Sequence, residues 1–121
     1  MKVIKANQVP KEATTSPLFI GNVARQQVTK PGDSGNFNMG IVHFSAGSRN
    51  KRHKHTTDQL VIITEGAGVF VNDHETFPVT VGDVVIVPAG EDHWHGAPGA
   101  TPMSHIAITA IGCQSTITEK E

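Results

Sequence analysis

The sequence holds one cysteine, Cys113, so no disulfide can close within the chain, and no second thiol or activating neighbour stands beside it. It reads as a structural residue. Excess charge of either sign is also missing. Ten Lys and Arg against eleven Asp and Glu leave a net charge of −1, too weak a field to gather nucleic acid or an anionic membrane. The local basic run Arg49-Asn50-Lys51-Arg52 reads as a solvated edge. No apolar run approaches the roughly 20 residues of a membrane span, and the opening MKVIKANQVP lacks the apolar stretch of a signal peptide. The expectation is a soluble, cytoplasmic protein without nucleic-acid or membrane partners. Helical periodicity is the last absence: no segment repeats its apolar residues at a helical spacing.

What is present is β-chemistry. Turn signals recur about every eight to twelve residues, the rhythm of sandwiches and barrels. The 121 residues suffice for one domain over 1–121, with a core over about 17–112 and polar termini. The expected fold is all-β, a single antiparallel β-barrel or double-sheet jelly roll, whose tapered interior can receive ligands from several strands. Residues 17–23 read as a first strand and 29–35 as a loop and candidate flap. In 36–44, Gly40, Val42 and Phe44 share one face and Met39, Ile41 and His43 the other. A strand from Gln59 to Thr64 should break at Glu65-Gly66-Ala67-Gly68, and 72–75 should be a hairpin loop with His74 solvated at its tip. Val84-Val85-Ile86-Val87 has the apolar, β-branched character of a strand buried on both faces. In 103–111, Met103, His105, Ala107 and Thr109 share a face. Val3 and Ile4 can form a short edge strand in this or a neighbouring subunit, and 114–121 is expected to fray.

The chemistry is concentrated in histidine. Four of the seven histidines form two H-x-H pairs, each beside glycine-rich turns. In an extended segment His53 and His55 point the same way, and Gln59 can join them after a turn. His93 and His95, behind Pro88-Ala89-Gly90, supply a fourth ligand. Imidazole donors suit zinc, iron, nickel, copper or manganese better than calcium or magnesium. The candidate metal set is His53, His55, Gln59 and His93. With neutral ligands the ion keeps its full charge, so the site should attract anions and polarise hydroxyls.

Gly47, His53, His55 and Gly66 fit the motif G-x5-H-x-H-x3-E-x6-G, with Gln59 in the place of the glutamate. Gly82, Pro88, Gly90 and His93 fit G-x5-P-x-G-x2-H-x3-N, with Ala97 in the place of the asparagine. By these two motifs the chain resembles the cupins. The H-x-H-x3-Q text, Gly82 to Val85, His93 to Ala97 and Met103 to Ile108 look like the small bacterial cupins that include manganese-dependent hydroxynitrile lyases. They also resemble cupins associated with carboxymuconolactone decarboxylases. The likeness implies Mn(II), with Fe(II), Ni(II) and Zn(II) as alternatives, a small-molecule substrate, and a homodimer or homotetramer.

A hydroxynitrile lyase cleaves or forms cyanohydrins such as mandelonitrile, with the divalent ion as Lewis acid. A base must then reach the substrate hydroxyl. His105 is the expected proton-transfer residue and His95 its partner toward cyanide or the substrate. Phe19, Val42, Phe44, Met103, Ala107 and Thr109 are expected to wall the substrate pocket, with Leu60 or Ile62 as further candidates, strand parity after the turn leaving Leu60 versus Val61 open. Two alternatives stay open: a metal-dependent dioxygenase, and a non-catalytic module that binds a small molecule.

Overall fold

The computed structural model describes residues 1–120. After a short 3-10 turn at Ala6–Gln8, twelve strands follow: β1 Glu12–Ala13, β2 Phe19–Ile20, β3 Val23–Gln27, β4 Phe37–Phe44, β5 Ser48–Asn50, β6 His53–His55, β7 Gln59–Val71, β8 Thr76–Thr80, β9 Val84–Val87, β10 Trp94–Ala97, β11 Met103–Ala110 and β12 Ser115–Ile117. Neighbours run antiparallel in the order β1-β3-β4-β11-β7-β10-β5-β2, with β8 and β9 also on β7, and β12 pairs with β6. The architecture is the expected all-β jelly roll, a curled antiparallel sheet. Among the described residues no helix is long and apolar enough to cross a membrane.

β7 joins the two halves. Its first residues pair with β11 and β9, and its last residues pair with β8 and β10. The expected break at 65–68 is therefore a bend inside one thirteen-residue strand. Gly66, paired with Met103, makes the bend with φ +69°, two residues after Thr64, where the register with β11 shifts between Ser104 and His105. A Cβ at Gly66 would overlap the carbonyl oxygen of Pro102. Both the left-handed backbone and this contact demand glycine. Gly66→Ala is expected to destabilise the fold by about 3 kcal/mol or more, as a shift in the urea midpoint; an unchanged midpoint would contradict this account.

The first strand also divides. Gly21, at φ +87°, turns the chain so that β2 pairs with β5 while β3 pairs with β4. Within the chain the short N-terminal edge strand is Glu12–Ala13, and Val3 and Ile4 pair with no strand of it. The C-terminal segment does not fray over its described residues: Ser115–Ile117 pairs with β6, and Glu119 accepts two hydrogen bonds from Arg49. The 29–35 loop, expected as a flap, is tied by an ion pair between Lys2 and Asp33. The 72–75 loop is a hairpin turn held by Asn72 Oδ1, which accepts from the backbone N–H groups of His74 and Glu75.

Strand register sorts the side chains into an inner and an outer face. Residues opposite one another share a face, so Arg25, Val42, His105 and Ile63 form one inner row. Gln27, Gly40, Ala107 and Val61 form the next, and Asn38, Thr109, Gln59 and Val87 the third. Val61 is fully buried, so Leu60 and Ile62 belong to the outer face and not to the pocket. Val84–Val87 is not buried on both faces: Val84 and Ile86 are 58% and 69% exposed, and only Val87 is deeply buried. Its wholly apolar composition could not reveal that only the face carrying Val85 and Val87 packs against the core, while Val84 and Ile86 point away from it.

Candidate metal centre

β6 presents His53 and His55 on one face, with Lys54 outward between them. A reciprocal backbone pair, His53 N–H to His93 O at 2.8 Å and His93 N–H to His53 O at 2.9 Å, docks the segment before β10 against β6. Nitrogens of His53, His55 and His93 thereby lie within 4.8 Å of one another, all buried.

The opposite ring nitrogens are held in place. His53 Nδ1 donates to the Lys51 carbonyl at 2.7 Å, and His93 Nδ1 donates to the Glu91 carbonyl at 2.9 Å. Carbonyls only accept, so both protons sit on Nδ1 and both lone pairs on Nε2. His55 Nδ1 lies 2.8 Å from Ser115 Oγ on β12. His55 Nε2, His93 Nε2 and Gln59 Oε1 are left buried without a hydrogen-bond partner. Each such atom costs about 1–3 kcal/mol, and a cation bound among them would relieve all three. Outer partners on Nδ1 with free Nε2 atoms are the arrangement metal-binding histidines use.

Burial, with the neighbouring imidazoles, pushes His53 and His55 down to about 4, and burial also lowers His93. At neutral pH the rings are therefore uncharged, the form that binds a metal. The residues present fit a divalent ion held by His53, His55 and His93.

Beside the cluster opens a cavity of about 240 Å³. Phe19, Val42, Ala107 and Thr109 line it, together with His95 and His105. Phe44 and Met103, expected in the wall, do not line it. Both are 1% exposed and fill the core on the inner row that begins at Val23, beyond the row of His105. Phe44 instead supports the wall from behind, its ring 5.7 Å from those of both His95 and His105. Cys113, read as structural, lies at the cavity lining, as does Arg25.

Asn50 went unrecognised in the sequence because it sits inside a basic run. Far from being a solvated edge, it is 2% exposed and lines the cavity, while the flanking Arg49 and Arg52 make ion pairs with Glu119 and with Asp73 and Asp92. Its contacts determine two tautomers. Asn50 Oδ1 accepts from the His95 backbone N–H at 2.8 Å, so Nδ2 must be the atom 2.9 Å from His95 Nε2. An amide nitrogen only donates, so His95 Nε2 accepts and Nδ1 carries the proton. That proton points to His105 Nε2, 3.2 Å away. His105 Nε2 is therefore an acceptor as well, and Nδ1 carries its proton near the backbone without a well-formed hydrogen bond. Burial pushes His105 down to about 4 and His95 well below its ordinary value, so both rings are neutral.

The comparisons agree with this architecture. Over 71 residues the chain is 41% identical to the (R)-mandelonitrile lyase of Granulicella tundricola, covering 55% of this chain and 52% of that protein. Over 66 residues it is 36% identical to a gentisate 1,2-dioxygenase from a Ralstonia species, covering 54% of this chain and 19% of that one. The chain thus spans about half or less of the curated relatives it matches. A cupin-like protein of Thermotoga maritima superposes with a TM-score of 0.80 at 28% identity, covering 94% of this chain and 91% of the other. The polyketide cyclase RemF of Streptomyces resistomycificus superposes at 0.89 with 16% identity, over 100% and 87% of the two chains, a likeness of fold alone. Residues 40–109, which carry both histidine pairs, match the cupin domain model, and the chain belongs to the cupin domain family.

Proposed function

We propose that the chain is a divalent-metal-dependent lyase that cleaves and forms cyanohydrins, with Mn(II) held by His53, His55, His93 and Gln59. The observation that carries the reading is the set of unpartnered, neutral donor atoms beside a cavity walled by two further neutral histidines. The similarity to a mandelonitrile lyase supports the same chemistry. A divalent ion in this set supplies Lewis acidity for a hydroxyl and for the oxyanion that develops from it.

The proton chemistry belongs to His105 and His95. The bond between them is long at 3.2 Å, the weakest link in the Asn50–His95–His105 chain. A substrate that inserts there meets an acceptor, His105 Nε2, and a donor, His95 Nδ1–H. His105 takes the hydroxyl proton as the C–C bond breaks. The electron pair leaves with cyanide, which accepts a hydrogen bond from His95. Asn50 maintains the division of labour by holding His95 in the donor tautomer.

Metal analysis of the purified protein, followed by mandelonitrile cleavage with Mn(II) and after chelation, tests the reading. Release of benzaldehyde only in the metal-loaded sample is expected; metal-loaded protein that leaves mandelonitrile intact overturns it. Asn50→Leu is expected to lower kcat about 100-fold at unchanged metal content per chain. Loss of metal in that variant would instead mean that Asn50 supports the metal cluster. A dioxygenase reading is favoured by the match to gentisate 1,2-dioxygenase, and oxygen uptake by Fe(II)-loaded protein with dihydroxybenzoates would establish it in place of the lyase.

A further inference from the structure

The cavity wall holds one permanently charged side chain that the proton chemistry above does not use. Arg25 lies on β3 in the inner row with Val42 and His105, and it lines the same cavity as the histidines. Its parity is that of Val23, a core residue two positions earlier. Two inter-strand steps separate Arg25 from His105, about 10 Å between their Cα atoms. Arg25 is exposed, so its guanidinium belongs to the open rim of the cavity.

The Arg25 guanidinium has no hydrogen bond or ion pair with any described residue. Its direct neighbour across β1 is Glu12, yet no ion pair forms between them, although Lys2, Arg49 and Arg52 all find carboxylates. Among the described residues no aspartate or glutamate lines the cavity. The donors around the metal cluster are neutral too, so a bound divalent ion would keep its charge in the same cavity that Arg25 lines. Asn38, also in the lining, adds an amide on the next inner row but one.

We propose that Arg25 is a specificity residue that anchors a carboxylate on the substrate, at the end remote from the hydroxyl held near the metal cluster. The planar guanidinium fork matches a carboxylate with two parallel hydrogen bonds. The preferred substrate is then a hydroxyl compound with an acidic group across a ring-sized spacer. The inference rests on the metal-centre reading for the position of the hydroxyl.

The test uses Mn(II)-loaded full-length protein and two probes of one shape, 4-(hydroxymethyl)benzoate and the neutral 4-(hydroxymethyl)benzamide, titrated calorimetrically. Wild type is expected to bind the benzoate at least about 10-fold more tightly, the effect of one charge-assisted pair. In Arg25→Gln the benzoate-to-amide ratio should fall toward one, and Arg25→Lys should retain part of it, with metal content per chain as the control for folding. Equal affinities in wild type, a preference that survives Arg25→Gln, or no binding of either probe would overturn the proposal. Turnover of 4-carboxymandelonitrile is measured alongside. A benzoate preference without cyanohydrin cleavage sinks the lyase reading and keeps the anchor; cleavage without a preference does the reverse.

Discussion

His93→Ala is expected to abolish divalent-metal retention and, with it, metal-dependent turnover. The three imidazoles come from two segments that meet through the reciprocal backbone bonds of His53 and His93. Removing one ring takes away a third of the nitrogen donors and leaves His55 Nε2 and Gln59 Oε1 without the ion that relieves them. Metal affinity should fall by more than the roughly 100-fold that loss of an outer hydrogen-bond partner can cost. Ser115→Ala supplies that milder comparison, since Ser115 Oγ lies 2.8 Å from His55 Nδ1 and orients the ring through the nitrogen that does not serve as donor to the ion. Its affinity should fall between wild type and His93→Ala. Competition with a chromophoric chelator measures all three proteins. Equal affinities for wild type and His93→Ala would place the ion elsewhere or nowhere.

Acid should destabilise the metal-free protein well before its carboxylates titrate. In the unfolded chain His53, His55 and His105 regain an ordinary value of 6.5, whereas in the fold burial holds all three at about 4. Above pH 6.5 both states are neutral at these rings and stability does not depend on them. As pH falls from 6.5 toward 4, the unfolded chain takes up protons that the folded chain refuses. Folding stability therefore drops through that window and levels off below it. For His105, fully buried at 0% exposure, the shift corresponds to about 3 kcal/mol. Urea unfolding of chelator-treated protein at pH 7, 5.5 and 4 measures the loss. Bound metal should protect, since protons and metal compete for the same lone pairs. A midpoint that stays flat across the window would show that the buried imidazoles are not held neutral.

Some of this was readable in the chain itself. The two H-x-H pairs and their glycine and proline spacing pointed to a cupin, and alternation alone placed His53 with His55 and His105 with Ala107 and Thr109. Other features were hidden by the same alternation. Phe44 and Val42 share a face, yet only Val42 reaches the cavity, because the Phe44 row lies where the core fills the interior. Asn50 looked like a solvated member of a basic run until its amide met His95, 45 residues away. Arg25 attracted no notice, since its place in the lining depends on β3 pairing with β4 and on which face of that pair turns inward.

By itself the sequence determined which side chains within each strand share a face and which residue types offer metal-ligating nitrogen, because strand periodicity and imidazole chemistry are local properties. Only the tertiary structure decided which faces turn inward, where β7 bends, and which distant strands lie in register. Those outcomes depend on pairings across the sheet, where a shift of one residue would exchange inner for outer side chains. The convergence of His93 on His53 and His55, and of Asn50 on His95, belongs to that second class.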